Sequence, residues 1–96
     1  MSEQKLERRF KREIERRGWR AFKFTSPGMA GMPDRIILIP GNRTFFAELK
    51  APGKKLRELQ RKRINMLIAM GYPVYFIDSI DAIDLCVGHI EEVVSK

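Results

Sequence analysis

Two short apolar segments constrain the fold of this chain more than any other feature of its sequence. The first, DRIILI, runs from Asp34 to Ile39, and the second, TFFAELK, runs from Thr44 to Lys50. Both alternating sets of side chains in the first segment are apolar, which predicts a strand covered by layers on both faces of a sheet. Three charged residues nevertheless stand at the ends of these segments: Asp34, Glu48 and Lys50. Because a carboxylate at the edge of a core must be paired, protonated or bound to metal, these charges need a physical reason.

The residues PGNR between the two segments predict a hairpin, and its register decides whether the charges meet. A two-residue turn at positions 41–42 would pair Asp34 with Leu49 and leave Asp34 on the face opposite Glu48. A loop of three residues shifts the register by one and places Asp34 opposite Lys50 or Glu48. A β-bulge would have the same effect. We therefore predict an odd-length loop or a bulge.

The rest of the chain predicts a small α/β domain of order αβββαβα that occupies residues 1–96, with a mixed β-sheet flanked by helices. Asp78 or Ser79 is expected to cap the last helix. The other predicted elements are a helix over Ser2–Arg17, a strand over Trp19–Phe24, the strands Asp34–Ile39 and Thr44–Lys50, a helix over Leu56–Met70 and a strand over Pro73–Ile77.

Charge and cysteine content narrow the class of protein. Nineteen Lys and Arg against twelve Asp and Glu give a net charge of +7. The basic excess lies in residues 5–20 and 50–63 and at Arg35 and Arg43, which is typical of a polyanion-binding face but also of an ordinary solvated surface. The single cysteine excludes an internal disulfide and a cysteine-built zinc site. No apolar run approaches the roughly 18 residues of a membrane span, and the N-terminus lacks a signal-peptide core, so we expect a cytoplasmic protein.

The charged strand ends suit a divalent cation and a phosphate. Asp34, Glu48 and the backbone carbonyl of Leu49 offer oxygen ligands, which favours Mg²⁺ or Mn²⁺. The metal would polarise a phosphodiester and activate water. Lys50 would orient or deprotonate that water, or neutralise the developing charge. The alternative is an ordinary surface ion pair, since an E-x-K triplet alone is common.

The motif Pro-Asp followed by E-L-K on the next strand resembles the PD-(D/E)xK nuclease superfamily. The longer string KFTSPGMAGMPDR … FFAELKAPGKKLRELQ resembles the stand-alone VRR-Nuc domain of phages and bacteria. This resemblance implies a metal-dependent DNA endonuclease, often a homodimer, that acts on branched DNA such as four-way (Holliday) junctions. It implies that Asp34 and Glu48 bind metal and that Lys50 is the catalytic lysine. It also matches Gln60 to a site glutamine, and Glu7 to a first-helix acid that can reach a second metal through water.

Helical periodicity indicates where two of these residues, Gln60 and Glu7, lie on their helices. Gln60 falls on the apolar face of its helix and needs a buried partner, which either a structural cap or an active-site role would supply. On the first helix, periodicity does not choose among the acids Glu3, Glu7 and Glu13. The inward face of that helix is marked by Leu6, Phe10 and Ile14.

Two loops beside the predicted site suit DNA contacts. The Gly/Pro loop TSPGMAGMP permits close backbone approach, and the loop APGKK carries two lysines suited to phosphates. The residues predicted to contact DNA are Ser26, Gly28, Arg35, Lys54, Lys55 and Arg63. The alternatives are a non-catalytic nucleic-acid binder, a small antitoxin-like interaction module, and a nicking or restriction-type nuclease. A non-catalytic binder would show salt-sensitive binding without metal-dependent cleavage.

Overall fold

Three helices and four strands follow one another in the predicted order αβββαβα. The computed structural model describes residues 1–96. Its helices are α1 (Glu3–Glu15), α2 (Glu58–Ala69) and α3 (Ile80–Val94). Its strands are β1 (Arg20–Lys23), β2 (Arg35–Ile39), β3 (Arg43–Leu49) and β4 (Val74–Ile77). Every predicted element is present, and the side chains of Ser2 and Ser79 cap the N-termini of α1 and α3.

The four strands form one mixed sheet in the order β1-β2-β3-β4. Strands β1, β2 and β3 pair antiparallel, whereas β3 and β4 pair parallel. A parallel pair needs a crossover connection, and α2 supplies it. The prediction of a mixed sheet is confirmed.

The β2–β3 hairpin has the odd-length loop that the charges require. Ile39 pairs with Arg43, which leaves three residues, Pro40 to Asn42, in the loop. Asn42 adopts a φ of 66° and Gly41 one of 94°, in the left-handed region that these residue types tolerate. The register pairs Arg35 with Ala47, so Asp34 and Glu48 follow as neighbours at the end of the two strands.

The main core lies between one face of the sheet and the helices α1 and α3. Burying each large apolar side chain there contributes about 1.5–3 kcal/mol. Cys86 is part of this core, as a free and buried thiol. The core residues without solvent exposure are Leu6, Phe10, Ile14, Ile37, Ala47, Ile77, Ile83 and Ile90.

The opposite face of the sheet is only partly covered. Helix α2 packs there against β4, and its buried residues are Gln60 and Leu67. On β1 and β2, Phe22 is 50% exposed and Leu38 is 39% exposed. A single helix about 10 Å wide cannot cover four strands spaced about 4.8 Å apart. The predicted second layer therefore exists on the β3–β4 side alone, and the β1–β2 side of this face is open.

None of the three helices is both long enough and apolar enough to traverse a lipid bilayer.

Candidate active site

The hairpin holds Asp34 and Glu48 together through reciprocal hydrogen bonds. The backbone N–H of Asp34 donates to Oε1 of Glu48 at 3.2 Å. The backbone N–H of Leu49 donates to Oδ1 of Asp34 at 3.2 Å. Each carboxylate thus accepts a backbone hydrogen bond from the segment that carries the other. Both carboxylates lie where β2 begins and β3 ends.

Glu48 is the centre of this cluster. It is 4% exposed, and its Oε2 accepts a hydrogen bond from Nε2 of Gln60 at 3.1 Å. The Nζ of Lys50 lies 3.4 Å from the same oxygen. Lys50 shares the face of Glu48 because residues two apart on a strand point the same way. The three charged residues named by the sequence, Asp34, Glu48 and Lys50, are therefore in one site.

Gln60 joins α2 to this site. Its Nε2 donates to Glu48, and its Oε1 accepts the backbone N–H of Arg57 at 2.9 Å, at the start of α2. The side chain is 5% exposed, in agreement with its position on the apolar helix face. The buried amide therefore has two partners, because it caps the helix and also bonds to Glu48. The active-site role of Gln60 stays a prediction.

The environment of Asp34 disfavours its negative charge. Burial raises the pKa of this carboxyl to about 6, and the charges on Glu48 and Glu7 act in the same direction. The hydrogen bond from Leu49 and the charge of Arg35 oppose the rise without cancelling it. A cation bound between the carboxylates would remove this repulsion.

The structure distinguishes the three candidate acids of α1, Glu3, Glu7 and Glu13. Glu13 forms ion pairs with Arg9 on α1 and with Arg16 and Arg17 just after it. Oε1 of Glu3 accepts the backbone N–H of Ala51 at 3.2 Å. Glu7 is the acid of α1 whose charge acts on Asp34. Glu3 and Glu13 are thus engaged elsewhere, whereas the charge of Glu7 acts on the carboxylate site.

Arg35 is placed differently from the sequence expectation. Its side chain is 9% exposed, and its Nη2 lies 3.8 Å from Oε1 of Glu7. Alternation along β2 turns Arg35 to the same side as Ile37, toward α1 and away from solvent. The prediction that Arg35 contacts DNA therefore finds no support, and we assign it the role of partner to Glu7.

The Gly/Pro loop before Asp34 is fastened to α2. Nε of Arg63 donates to the carbonyl of Ala30 at 3.0 Å. Gly31 has a φ of +86°, and a Cβ at this position would lie 2.8 Å from Cγ of Leu59. Only glycine fits this close contact, so Gly31 sets the path of the chain into Asp34. In the sequence, the glycine of GMPD is the signal of this role, but its contact with Leu59 depends on the position of α2.

The other residues predicted to contact DNA border the site. Lys54 and Lys55 are exposed on the loop that follows Lys50. Gly28 is exposed and Ser26 is partly exposed on the loop that precedes Asp34. One of these loops directly precedes Asp34 in the chain, and the other directly follows Lys50.

The carboxylate oxygens of Asp34 and Glu48 suit a hard divalent cation that keeps several water molecules as ligands. The protein has no ready-made cluster of three or more His, Cys, Asp or Glu that could hold a metal. Mg²⁺ commonly uses one or two protein carboxylates, with water and substrate phosphate completing its shell. Asp34 and Glu48, held side by side, fit that requirement.

The fold and the site together define a class: small α/β domains that carry an Asp, a Glu and a Lys at one edge of a mixed sheet. The family model of the VRR-NUC domain matches residues 2–81, and the chain belongs to this family. The resemblance identified in the sequence is confirmed.

Two known proteins are similar to this chain. One, named "Putative nuclease p44", comes from Acyrthosiphon pisum secondary endosymbiont phage 1 and is 38% identical over 79 residues, which cover 82% of this chain and 85% of the relative. The other is a solved structure of a VRR_NUC domain. It has a TM-score of 0.83 at 23% identity and covers 91% of this chain and 95% of that one. At this identity the structural match shows the shared fold.

Proposed function

We propose that this chain is a metal-dependent endonuclease that hydrolyses phosphodiester bonds in DNA. The observation that carries the proposal is the cluster of Asp34, Glu48 and Lys50, in which two carboxylates and an ammonium group meet at the ends of β2 and β3. Membership of the VRR-NUC family and the nuclease name of the phage relative support it.

Asp34, Glu48 and the backbone carbonyl of Leu49 would hold Mg²⁺ or Mn²⁺, and Glu7 would reach a second ion through water. When bound, such an ion supplies Lewis-acid assistance to the phosphate and to the attacking water. The chain contributes two closely held carboxylates, one of which has a pKa raised to about 6. Metal binding must displace the proton of Asp34, so it should strengthen as the pH rises through this value.

Lys50 and Gln60 have separate roles in the proposed reaction. The Lys50 side chain is 18% exposed, so its ammonium acts in a partly desolvated site. From there it can orient the attacking water and neutralise the charge that develops on the phosphate oxygens. Gln60 holds Oε2 of Glu48 and so fixes the orientation of that carboxylate. Gln60 is a positioning residue in this scheme.

The two loops beside the site would bring the DNA backbone to it. Lys54 and Lys55 suit phosphate contacts, and Ser26 and Gly28 offer a hydroxyl and an unobstructed backbone. Arg63 contributes indirectly, because its guanidinium holds the loop that carries Ser26 and Gly28.

We further propose that the substrate is branched DNA such as a four-way (Holliday) junction, and that the enzyme acts as a homodimer in the cytoplasm of a bacterial or phage-infected cell. A four-way junction has approximate two-fold symmetry and needs two opposed cuts. An isologous dimer supplies two sites in that relation. Light scattering on the eluting peak of a gel-filtration column should give twice the chain mass, and a monomer mass would contradict this part of the proposal.

The hydrolytic activity is tested by comparing Lys50→Met with wild type in Mg²⁺, Mn²⁺ and EDTA. Lys11→Met is the matched control, because Lys11 is an exposed lysine on α1. We expect cleavage by wild type and by the control in either metal, none in EDTA, and a loss of at least about 100-fold in Lys50→Met. DNA binding with no cleavage by wild type in either metal would instead indicate a non-catalytic binding module.

A further inference from the structure

A cleft of about 350 Å³ opens beside the candidate active site. Its volume is in the range of small-molecule sites. Lys54 and Lys55 line it from the loop after β3, Arg61 from α2, and Phe76 and Asp78 from the end of β4. None of Arg61, Phe76 and Asp78 was predicted to belong to the active site or to contact DNA.

The sheet register places this cleft next to Glu48. Phe76 pairs directly with Glu48 across the parallel β3–β4 ladder, so both residues lie on the face that α2 covers. The neighbours of Phe76, Tyr75 and Ile77, turn to the opposite face and pack with the main core. Adjacent strands are about 4.8 Å apart, so the ring of Phe76 borders the carboxylate site.

The residues of the cleft are suited to a nucleotide. Phe76 is 37% exposed, which leaves part of its ring accessible for stacking. None of the cations Lys54, Lys55 and Arg61 forms an ion pair within the protein, so all three are available to a phosphate. Asp78 can accept an N–H from the edge of a base and repels phosphate from its own end of the cleft. An aromatic ring among basic side chains is the usual arrangement of single-stranded nucleic-acid sites.

We propose that this cleft binds one unpaired nucleotide of the DNA substrate, adjacent to the cleaved phosphodiester, with its base stacked on Phe76. A base inside a duplex has both faces covered by its neighbours, so no base within a duplex can stack on the ring. The phosphates of the same strand would lie against Lys54, Lys55 and Arg61. The proposal rests on the proposed function for the identity of DNA as the substrate. It narrows the substrate class to DNA with an unpaired nucleotide at the cut, such as a flap, a gap or a junction whose central base pairs have opened.

The binding test uses Phe76→Leu and is run without metal, so that DNA binding is measured in the absence of cleavage. The two probes are a fluorescein-labelled duplex with a short single-stranded arm and a blunt duplex of the same sequence. Binding of the protein to each probe is measured in EDTA by fluorescence anisotropy. Phe22→Leu is the matched control, because Phe22 is an exposed phenylalanine on β1, at the opposite edge of the sheet. We expect Phe76→Leu to bind the armed duplex about 5- to 20-fold more weakly, with unchanged affinity for the blunt duplex. The control should bind both probes as wild type does.

Abasic substitutions along the arm then test stacking itself. At one arm position, removing the base should weaken wild-type binding by the same factor as Phe76→Leu, and combining the two changes should cost nothing further. Equal losses for armed and blunt duplexes would overturn the proposal, as would additive effects at every position or wild-type affinity in Phe76→Leu. Thermal unfolding of both variants confirms that they are folded.

The two proposals fail in different ways. If wild type cleaves DNA while Phe76→Leu binds the arm normally, the nucleotide cleft is refuted and the nuclease stands. If wild type cleaves nothing in Mg²⁺ or Mn²⁺ while the arm preference in EDTA depends on Phe76, the nuclease is refuted and the nucleotide cleft stands.

Discussion

Replacing Asp34 by Asn should stabilise the fold at neutral pH while abolishing cleavage. The carboxyl of Asp34 is destabilised by burial and by the charge of Glu48, which together raise its pKa to about 6. Asparagine keeps the shape of the side chain, and its Oδ1 can still accept the hydrogen bond from Leu49. Its Nδ2 brings a neutral amide to the negatively charged Glu48. Proteins commonly give up stability at functional sites in this manner.

The size of the effect follows from the pKa. A rise from 3.8 to about 6 corresponds to about 3 kcal/mol of destabilisation at pH 7, since each pKa unit is worth 1.36 kcal/mol. Asp34 is only partly buried, and solvent screening reduces the expected gain for Asp34→Asn to about 1–2 kcal/mol. The folded protein holds this proton to higher pH than the unfolded chain does. Stability is therefore lost as pH rises from about 4 to about 6, and the variant should gain nothing below about pH 4.

The assay is urea unfolding of wild type and Asp34→Asn in metal-free buffer at about pH 7.5 and about pH 4. Asp84→Asn, an exposed carboxyl on α3, is the control and should change the free energy of unfolding by less than about 0.5 kcal/mol at both pH values. The charge of Asp34 is not destabilising if Asp34→Asn is less stable than wild type at neutral pH, or if its effect is the same at both pH values.

Three further outcomes follow from the site. Glu48→Gln should lower the free energy of unfolding by about 1–3 kcal/mol at neutral pH, because its new amide nitrogen faces the donors of Gln60 and Lys50. A variant that is more stable than wild type in urea unfolding would contradict this. Gly31→Ala should destabilise the protein more than Gly71→Ala, since both glycines have positive φ but only Gly31 lies against Leu59; equal melting temperatures would contradict it. Mg²⁺ or Mn²⁺ should raise the melting temperature of wild type reversibly with EDTA and should have little effect on Asp34→Asn; equal shifts would exclude Asp34 as a ligand.

The sheet and the acidic centre of the site were predictable because they depend on local patterns. Two apolar segments with turn residues between them define a hairpin, and the need to bring Asp34 to Glu48 selected an odd-length loop. The observed loop of three residues agrees. The buried position of Gln60 followed from helical periodicity alone, since a polar residue on an apolar face needs a partner.

Other features depend on contacts between distant parts of the chain. The alternation of side chains along β2 predicts that Arg35 points to the same face of the sheet as Ile37. Its ion pair with Glu7 is not predictable in this way, because it depends on α1 packing against that face. The partial cover of the second face depends on where the single helix α2 lies. The position of Phe76 beside Glu48 depends on the register of a parallel pair, which no turn specifies.

The nuclease account is tested most directly by cleavage of a labelled four-way junction beside a linear duplex of the same sequence. The reactions contain Mg²⁺, Mn²⁺ or EDTA, with wild type and Glu48→Gln, whose fold is first confirmed by circular dichroism. We expect paired, metal-dependent nicks in the junction, and none in the linear duplex, in EDTA or with Glu48→Gln. Tight binding to the junction without cleavage in either metal would contradict it, and the charges at the ends of β2 and β3 would then be structural.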